Sequence, residues 1–478
     1  NASALASNGH VKEMSLTGSG SVISQAWDTL SSLGEKITSV LKVGQDAIGL
    51  KFSQWLSYAD LRDKLLSVSP SVDFTVSDAS VSNFSDLDTD ADVKEINIVD
   101  TSDVLDDAAS IPALSSTKVK EIILQDDAVA LNLSADYLTE NILVLNKIKD
   151  NKYLLNVLDA TADQTLDLVA NTSSSANLPL YANVKTINLT DSSDQITNNF
   201  EALKIIDKIQ SVVLPPADEA LKISATTMIN GSALLGKIQS YELNIIDTSM
   251  LQLSTVAESE HVSSVEIKDT SANVSADFDK LIALGPNLAD LNFISIDGVS
   301  NALDITYEQW TASKETLDSL PSIPYDFNLS EVMASQATLA ALDENVLNIQ
   351  ITDTAENINL DWDSLQTLYG SVDLPGKLTD LTFTDYGPLK LTAQQALNSS
   401  LLDEVTVSNP VTVKDSAANI SANWNSLVTL FGIGEGKFRS VEMTDPTNKV
   451  LLTTAQQSAG SYLIRELPLE QESVQIVS

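Results

Sequence analysis

Thirteen aspartates recur through this 478-residue chain: Asp100, Asp126, Asp159, Asp191, Asp218, Asp247, Asp269, Asp297, Asp326, Asp353, Asp385, Asp415 and Asp445. They span 345 residues in 12 steps, about 29 per step. Most follow an alternating apolar run, such as Ile96-Ile98, Ile122-Leu124 or Ile349-Ile351. An aspartate in that place can do two kinds of chemistry. Its carboxylate can accept hydrogen bonds from backbone N–H groups two or three residues on, forming an Asx-type turn. Alternatively it can ligate Ca²⁺, a hard cation that takes six to eight oxygens. A single row of carboxylates supplies too few oxygens per ion, so the turn is the expected role of the column. Calcium is the expectation only where a second acid lies close by, at Asp126 with Asp127, Asp191 with Asp194, and Asp106 with Asp107. No other cofactor is expected.

Other reactive groups are sparse. The chain has no cysteine, which excludes disulfides, thiol catalysis and Cys-ligated zinc. It has two histidines, His10 and His261, far apart and without a companion motif, so neither a zinc site nor a His-based triad is expected. No P-loop, Gly-x-Gly-x-x-Gly, Gly-x-Ser-x-Gly, EF-hand loop or Gly-Gly-x-Gly-x-Asp repeat occurs. With 66 acids no glycosidase pair stands out. Trp27, Trp55, Trp310, Trp362 and Trp424 could serve as sugar platforms, but packing against a sheet is the simpler role. Ten Asn-x-Ser/Thr sequons are present, among them Asn1, Asn132, Asn171, Asn273, Asn328 and Asn419. The formal charge of −39 argues against nucleic acid and anionic lipid as partners. No run of 18 apolar residues occurs, so no transmembrane helix is expected.

The elements that would carry these residues repeat. Asp353 to Leu365 reads Asp-Thr-Ala-Glu-Asn-Ile-Asn-Leu-Asp-Trp-Asp-Ser-Leu, and close copies start at Asp269 and Asp415. A second landmark is an N-cap after a short alternating pair, expected at Ser134, Ser224, Ser254, Thr306 and Thr392. Thr306 with Gln309, Thr392 with Gln395 and Thr454 with Gln457 have capping-box spacing. Late caps at Asp361, Thr392, Asn423 and Thr454 are 31 residues apart. Two flavours of repeat alternate, one with Asn-Ile/Val and an aromatic, one with Leu-x-Leu-Thr-Ala-Gln-Gln. A superrepeat of about 60 residues follows. The expected fold is α/β: a β/α solenoid with leucine-rich-repeat-like stacking of a parallel sheet. Residues 73–478 form the array, and residues 1–72 a helical N-terminal cap or docking region. The alternating tail Val474-Gln475-Ile476-Val477 either pairs with its own last repeat or associates with a neighbouring molecule through Val474, Ile476 and Val477.

The motif at Asp353 to Leu365, and Leu378 to Gln395 (Leu-Thr-Asp-Leu-Thr-Phe-Thr-Asp-Tyr-Gly-Pro-Leu-Lys-Leu-Thr-Ala-Gln-Gln), resemble repeats in very large secreted bacterial surface proteins. Those proteins are adhesin-like or surface-layer-like, often type I secreted. The resemblance covers roughly residues 180–460 and implies an extracellular, structural or adhesive role, often with Ca²⁺. The chain opens at Asn1 without methionine, which fits a removed leader or a piece of a longer protein.

The functional expectation is a non-catalytic structural protein of the cell surface that assembles with copies of itself into a layer or filament. The alternative is a monomeric adhesin that recognises a cell-surface glycan or another surface protein. An enzyme such as a polysaccharide lyase is the third reading.

Overall fold

A computed structural model describes residues 4–5, 7–69, 71–106, 110–170, 181–216, 218–296, 301–321, 325–370, 376–404, 409–433, 437–467 and 473–477. It is α/β, with short parallel sheets alternating with helices. Among the described residues no helix is long and apolar enough to cross a membrane.

The chain forms two compact units. One comprises Asn1–Lys222 and Thr227–Glu242, the other Ile223–Thr226 and Leu243–Ser478. Strands of the first part are β1 (Met14–Ser19), β2 (Ile37–Val43), β3 (Ile48–Lys51), β4 (Phe74–Ala79), β5 (Val93–Asp100), β6 (Val119–Leu124), β7 (Ala130–Ser134), β8 (Leu154–Ala160), β9 (Val184–Thr190) and β10 (Ile209–Val213). Then come β11 (Leu221–Ser224), β12 (Leu243–Thr248), β13 (Val262–Asp269), β14 (Leu288–Phe293), β15 (Leu303–Thr306), β16 (Phe327–Val332), β17 (Val346–Asp353) and β18 (Leu378–Phe383). The last are β19 (Leu389–Leu391), β20 (Val411–Asp415), β21 (Phe438–Met443), β22 (Val450–Leu452) and β23 (Val474–Ile476).

Four sheets have four strands each, in the orders β3-β4-β5-β6, β7-β8-β9-β10, β11-β12-β13-β14 and β15-β16-β17-β18. A three-stranded sheet, β19-β20-β21, and two pairs, β1-β2 and β22-β23, complete the set. Each position in a four-stranded sheet has a register signature. First and second strands pair without a shift, as in β3 with β4 and β7 with β8. Second and third pair with two shifts, as in β4 with β5 and β16 with β17. Third and fourth pair with one shift, as in β5 with β6 and β17 with β18. The second strand also carries an acid with positive φ: Asp78 (60°), Asp159 (52°), Asp247 (51°) or Glu331 (55°). That left-handed residue is the local bulge that produces the extra shift.

This layout lengthens the expected superrepeat. First strands begin at residues 48, 130, 221, 303 and 389, steps of 82, 91, 82 and 86. Only the last step, 389 to 450, is near 60 residues, because β20 there follows the first strand directly. The two-flavour alternation is a feature of the C-terminal repeats; upstream a third flavour, the bulged second strand, intervenes.

Residues 1–72 also depart from expectation. They are not an all-helical segment. They hold β1 before a helix at Gly20–Ser32, then β2 and β3, then helices at Phe52–Ser57 and Ala59–Val68. β-Branched Ile37, Thr38, Val40 and Val43 favour strand, and Gly34 at φ +54° ends the helix before them.

Among the described residues the core is drawn from the inward faces of the strands and one stripe of most helices. Ile96, Ile98, Ile187 and Val265 are fully buried. All five tryptophans are at most 6% exposed, so they are core residues and not sugar platforms. Trp362 and Trp424 lie inside helices that start earlier than expected, at Ala355–Gly370 and Ala417–Ile433.

Candidate functional site: the aspartate column and the open strand edges

The strand-ending aspartates cap helices, and they reach further than an Asx turn. Asp269 ends β13. Its Oδ1 accepts from the Thr270 N–H at 2.8 Å and from Asn273 Nδ2 at 2.7 Å. Its Oδ2 accepts from the Met250 N–H at 2.8 Å, at the start of the preceding repeat's helix. Asp353 repeats this with Thr354, Asn357 and Ala334, and Asp415 with Ser416, Asn419 and Ala393. These three aspartates are 7% exposed. A carboxylate at a helix N-terminus meets free N–H groups and the positive end of the dipole, and its hydrogen bonds are charge-assisted. The Asn of the Asn-Ile/Val motif therefore fixes the carboxylate, which explains why Asn273 and Asn419 sit on the repeat.

The aspartates after the last strand of a sheet also reach across repeats. Asp385 accepts from the Ala355 N–H at 3.0 Å and Asp445 from the Ala417 N–H at 2.7 Å. Asp46, after β2, accepts from Gly20 and Ser21 at 3.1 and 2.8 Å. Backbone bonds from Ser21 and Gly20 hold Asp46 below the usual carboxylate range; the Asn448 amide and the Ala417 N–H do so for Asp445.

The residues expected to bind calcium are placed accordingly. Asp126 Oδ1 and Oδ2 take the Ser102 N–H at 2.7 Å and the Ser102 hydroxyl at 2.9 Å. Asp191 takes Ser192 and Ala162 N–H groups at 2.8 and 2.9 Å. Asp127 is exposed beside Asp126, and Asp194 is exposed in the first turn of the helix Ser193–Leu203. Among the described residues no three His, Cys, Asp or Glu side chains gather as a metal site. Asp107, Asp297, Asn1 and Asn171 lie outside the described residues. Asp159 and Asp247 are the bulge residues, not caps, and Asp326 precedes β16 instead of ending a strand. His10 and His261 fall in different units.

Caps at Ser134, Thr306 and Thr392 stand as expected, the last two as capping boxes. The third box is one residue earlier, Thr453 with Gln456. Ser254, Asp361 and Asn423 are helix interior, because the true caps, Ser249, Thr354 and Ser416, directly follow the strand.

Two cross-repeat devices were not anticipated from the sequence. The capping-box glutamine donates its amide to an acid of the preceding helix: Gln54 to Asp28, Gln309 to Asp279, Gln395 to Asp363. A lysine just before a strand donates to carbonyls that end the preceding helix. Lys377 reaches Ala341 and Asp343 at 3.0 and 2.7 Å, and Lys147 reaches Leu114, Ser115 and Ser116. Burial pushes both ammonium groups down from their ordinary pKa. The signal was present as Lys-Val, Lys-Ile, Lys-Leu or Lys-Phe opening a strand at Lys118, Lys208, Lys377 and Lys437, and as Lys-Ile before the isolated bridge residue Ile148 at Lys147.

The outward strand face carries short polar rows. Asn156 donates to Asn132 at 2.9 Å and Thr186 to Asn156 at 2.8 Å. Asn328 donates to Asp304 and Asn348 to Asn328, both at 2.7 Å. Asn132 and Asn328 thus have a structural use besides their sequons.

The tail pairs with its own last repeat. Val474↔Val450, Gln475↔Leu451 and Ile476↔Leu452 are parallel partners, and the Val477 N–H donates to Leu452 O at 2.8 Å. No described strand lies on the other side of β23 or of β1. No family model, curated protein or solved structure matches the chain.

Proposed function

We propose that this chain is a non-catalytic structural protein, a β/α solenoid that assembles with copies of itself at a cell surface. One observation carries the reading: its recurring polar residues are committed to joining one repeat to the next. Asp269, Asp353 and Asp415 have both carboxylate oxygens engaged in caps. A chain whose chemistry-bearing side chains hold its own repeats together is suited to being a building material. Ca²⁺ enters as a screening or bridging ion between strongly acidic copies, since a charge of −39 opposes contact at low salt. The second reading, a monomeric adhesin for a glycan or protein, draws on the Asn132-Asn156-Thr186 and Asp304-Asn328-Asn348 rows, which offer amides and hydroxyls on the outer strand face. Light scattering and electron microscopy of the purified chain, with and without Ca²⁺, decide between them. Assemblies many times 51.2 kDa support the structural reading. A monomer at high concentration under both conditions leaves the adhesin in front.

A further inference from the structure

The register of each two-stranded sheet matches half of a four-stranded one. β22 and β23 pair without a register shift, as first and second strands do in the four-stranded sheets and as β19 and β20 do in the three-stranded one. β1 and β2 pair with one shift, between Met14 and Ser15, the signature of third and fourth strands. Sequence agrees with register. Val11-Lys12-Glu13-Met14-Ser15-Leu16 matches Val93-Lys94-Glu95-Ile96-Asn97-Ile98 of the third strand β5. Val474-Gln475-Ile476 matches Phe74-Thr75-Val76 and Leu243-Asn244-Ile245 of the second strands β4 and β12. We propose that β23 of one molecule pairs in parallel with residues Val11–Ser19 of a second copy, completing a sheet in the order β22-β23-β1-β2. This rests on the self-assembly reading and specifies its contact.

Burial points to the same partner. The second-strand residues Val76, Val157, Ile245 and Leu329 are at most 1% exposed, yet their counterpart Ile476 is 43% exposed. Val93, Val184 and Val346, which open third strands, are at most 2% exposed, whereas Val11 is half-buried and not in a strand. Neither edge carries a Pro or an inward charge against pairing. Four internal second–third pairs share one register. Phe74↔Val93, Thr75↔Glu95 and Val76↔Ile96 recur as Leu155↔Val184, Asn156↔Thr186 and Val157↔Ile187, and again at β12–β13 and β16–β17. The same register sets Val474 opposite Val11, Gln475 opposite Glu13 and Ile476 opposite Met14 of the next copy. Because each copy offers one edge and receives on another, the contact is heterologous and adds copies without limit unless the rotation closes.

The chain has no cysteine, so a cross-link reads this register directly. Gln475 and Glu13 are exposed, and parallel neighbours about 4.8 Å apart are within disulfide reach. The full-length chain carrying both Gln475→Cys and Glu13→Cys, mildly oxidised, is expected to give a ladder of covalent oligomers that reductant collapses. Either single variant, with no partner thiol at this contact, is expected to stay uncross-linked. Ile476→Lys is expected to weaken self-association by about tenfold or more in light scattering, with the denaturation midpoint unchanged. If the chain assembles but the double variant gives no ladder and Ile476→Lys assembles normally, this contact is wrong and the self-assembly reading stands. If the chain stays monomeric throughout, both fall.

Discussion

Asp415 Oδ2 lies 2.9 Å from the backbone nitrogen of Ala393, 22 residues upstream, where the preceding helix begins. The other oxygen of the same carboxylate holds Ser416 and Asn419, so one side chain starts two helices. Asp415→Ala strands these donors at a buried site, and the expected loss is about 2–3 kcal/mol in urea denaturation, the range for unsatisfied buried groups bonded to a charge. Asp126→Ala is expected to lower the midpoint equally in Ca²⁺ and in chelator, because its partners are Ser102 N–H and hydroxyl. A loss seen in Ca²⁺ and abolished by chelator would make Asp126 a ligand.

The C-terminal caps give a paired test one residue apart. Thr453 is the N-cap and its side chain accepts from the Gln456 N–H; Thr454 is already helical. Thr453→Ala is expected to cost about 1 kcal/mol and Thr454→Ala close to nothing. Thr392→Ala, at the equivalent cap, is expected to match Thr453→Ala. Thermal or urea midpoints of the three variants check this.

Gly460 is fixed by its neighbour. A Cβ there would stand 2.7 Å from the Trp424 ring and from Val428 Cγ2. Trp424 cannot yield easily, since its Nε1–H donates to Gln456 O at 3.0 Å. Gly460→Ala is expected to destabilise by about 1–3 kcal/mol through overpacking. Gly432→Ala meets only the Tyr462 hydroxyl at 3.5 Å and is expected to be neutral or mildly stabilising, as helix propensity dictates.

Tyr325 is a spectroscopic handle on one unit. Burial, then the charge of Asp290, push its phenol up to about 12. The hydroxyl donates to the Leu291 carbonyl at 3.1 Å. A raised folded pKa means the unfolded chain loses the proton first. The contribution is therefore complete below the ordinary value of 10.0 and is lost as pH rises from there through about 12. Absorbance titration of Tyr325→Phe against the unaltered chain should show the loss of one late-ionising phenol. Tyr325→Phe should flatten stability across that window.

Much of the fold was legible because burial and capping act through local spacing. Asp269, Asp353, Asp415 and the Thr392-Gln395 box are read from a few adjacent residues, and the structure keeps them. What failed was decided by residues distant in sequence. Ile358 and Leu360 look like an alternating strand pair, but a helix starting at Ala355 buries Ile358 and leaves Leu360 78% exposed. That earlier start is set by Thr354 and by Asp385, 30 residues on. The lysine caps escaped notice for the same reason: Lys377 acts on Ala341 and Asp343, and nothing beside it announces them. In the tail, one strand edge was legible as β-prone, while its position within a sheet emerged only from the register of the other pairs.

The three-stranded sheet β19-β20-β21 has a consequence for how such a chain changes length. β20 accepts the shift-free partner β19 on one side and shows the single-shift register with β21 on the other. It therefore does the work of a third strand where no bulged second strand exists. Asp415 still caps the helix before it, and Asp445 still caps the helix after. Whole repeats can thus be dropped or inserted while each surviving junction keeps the same donors and acceptors. The molecule is spliceable in quanta of one repeat, and variants of different span can share one joining chemistry.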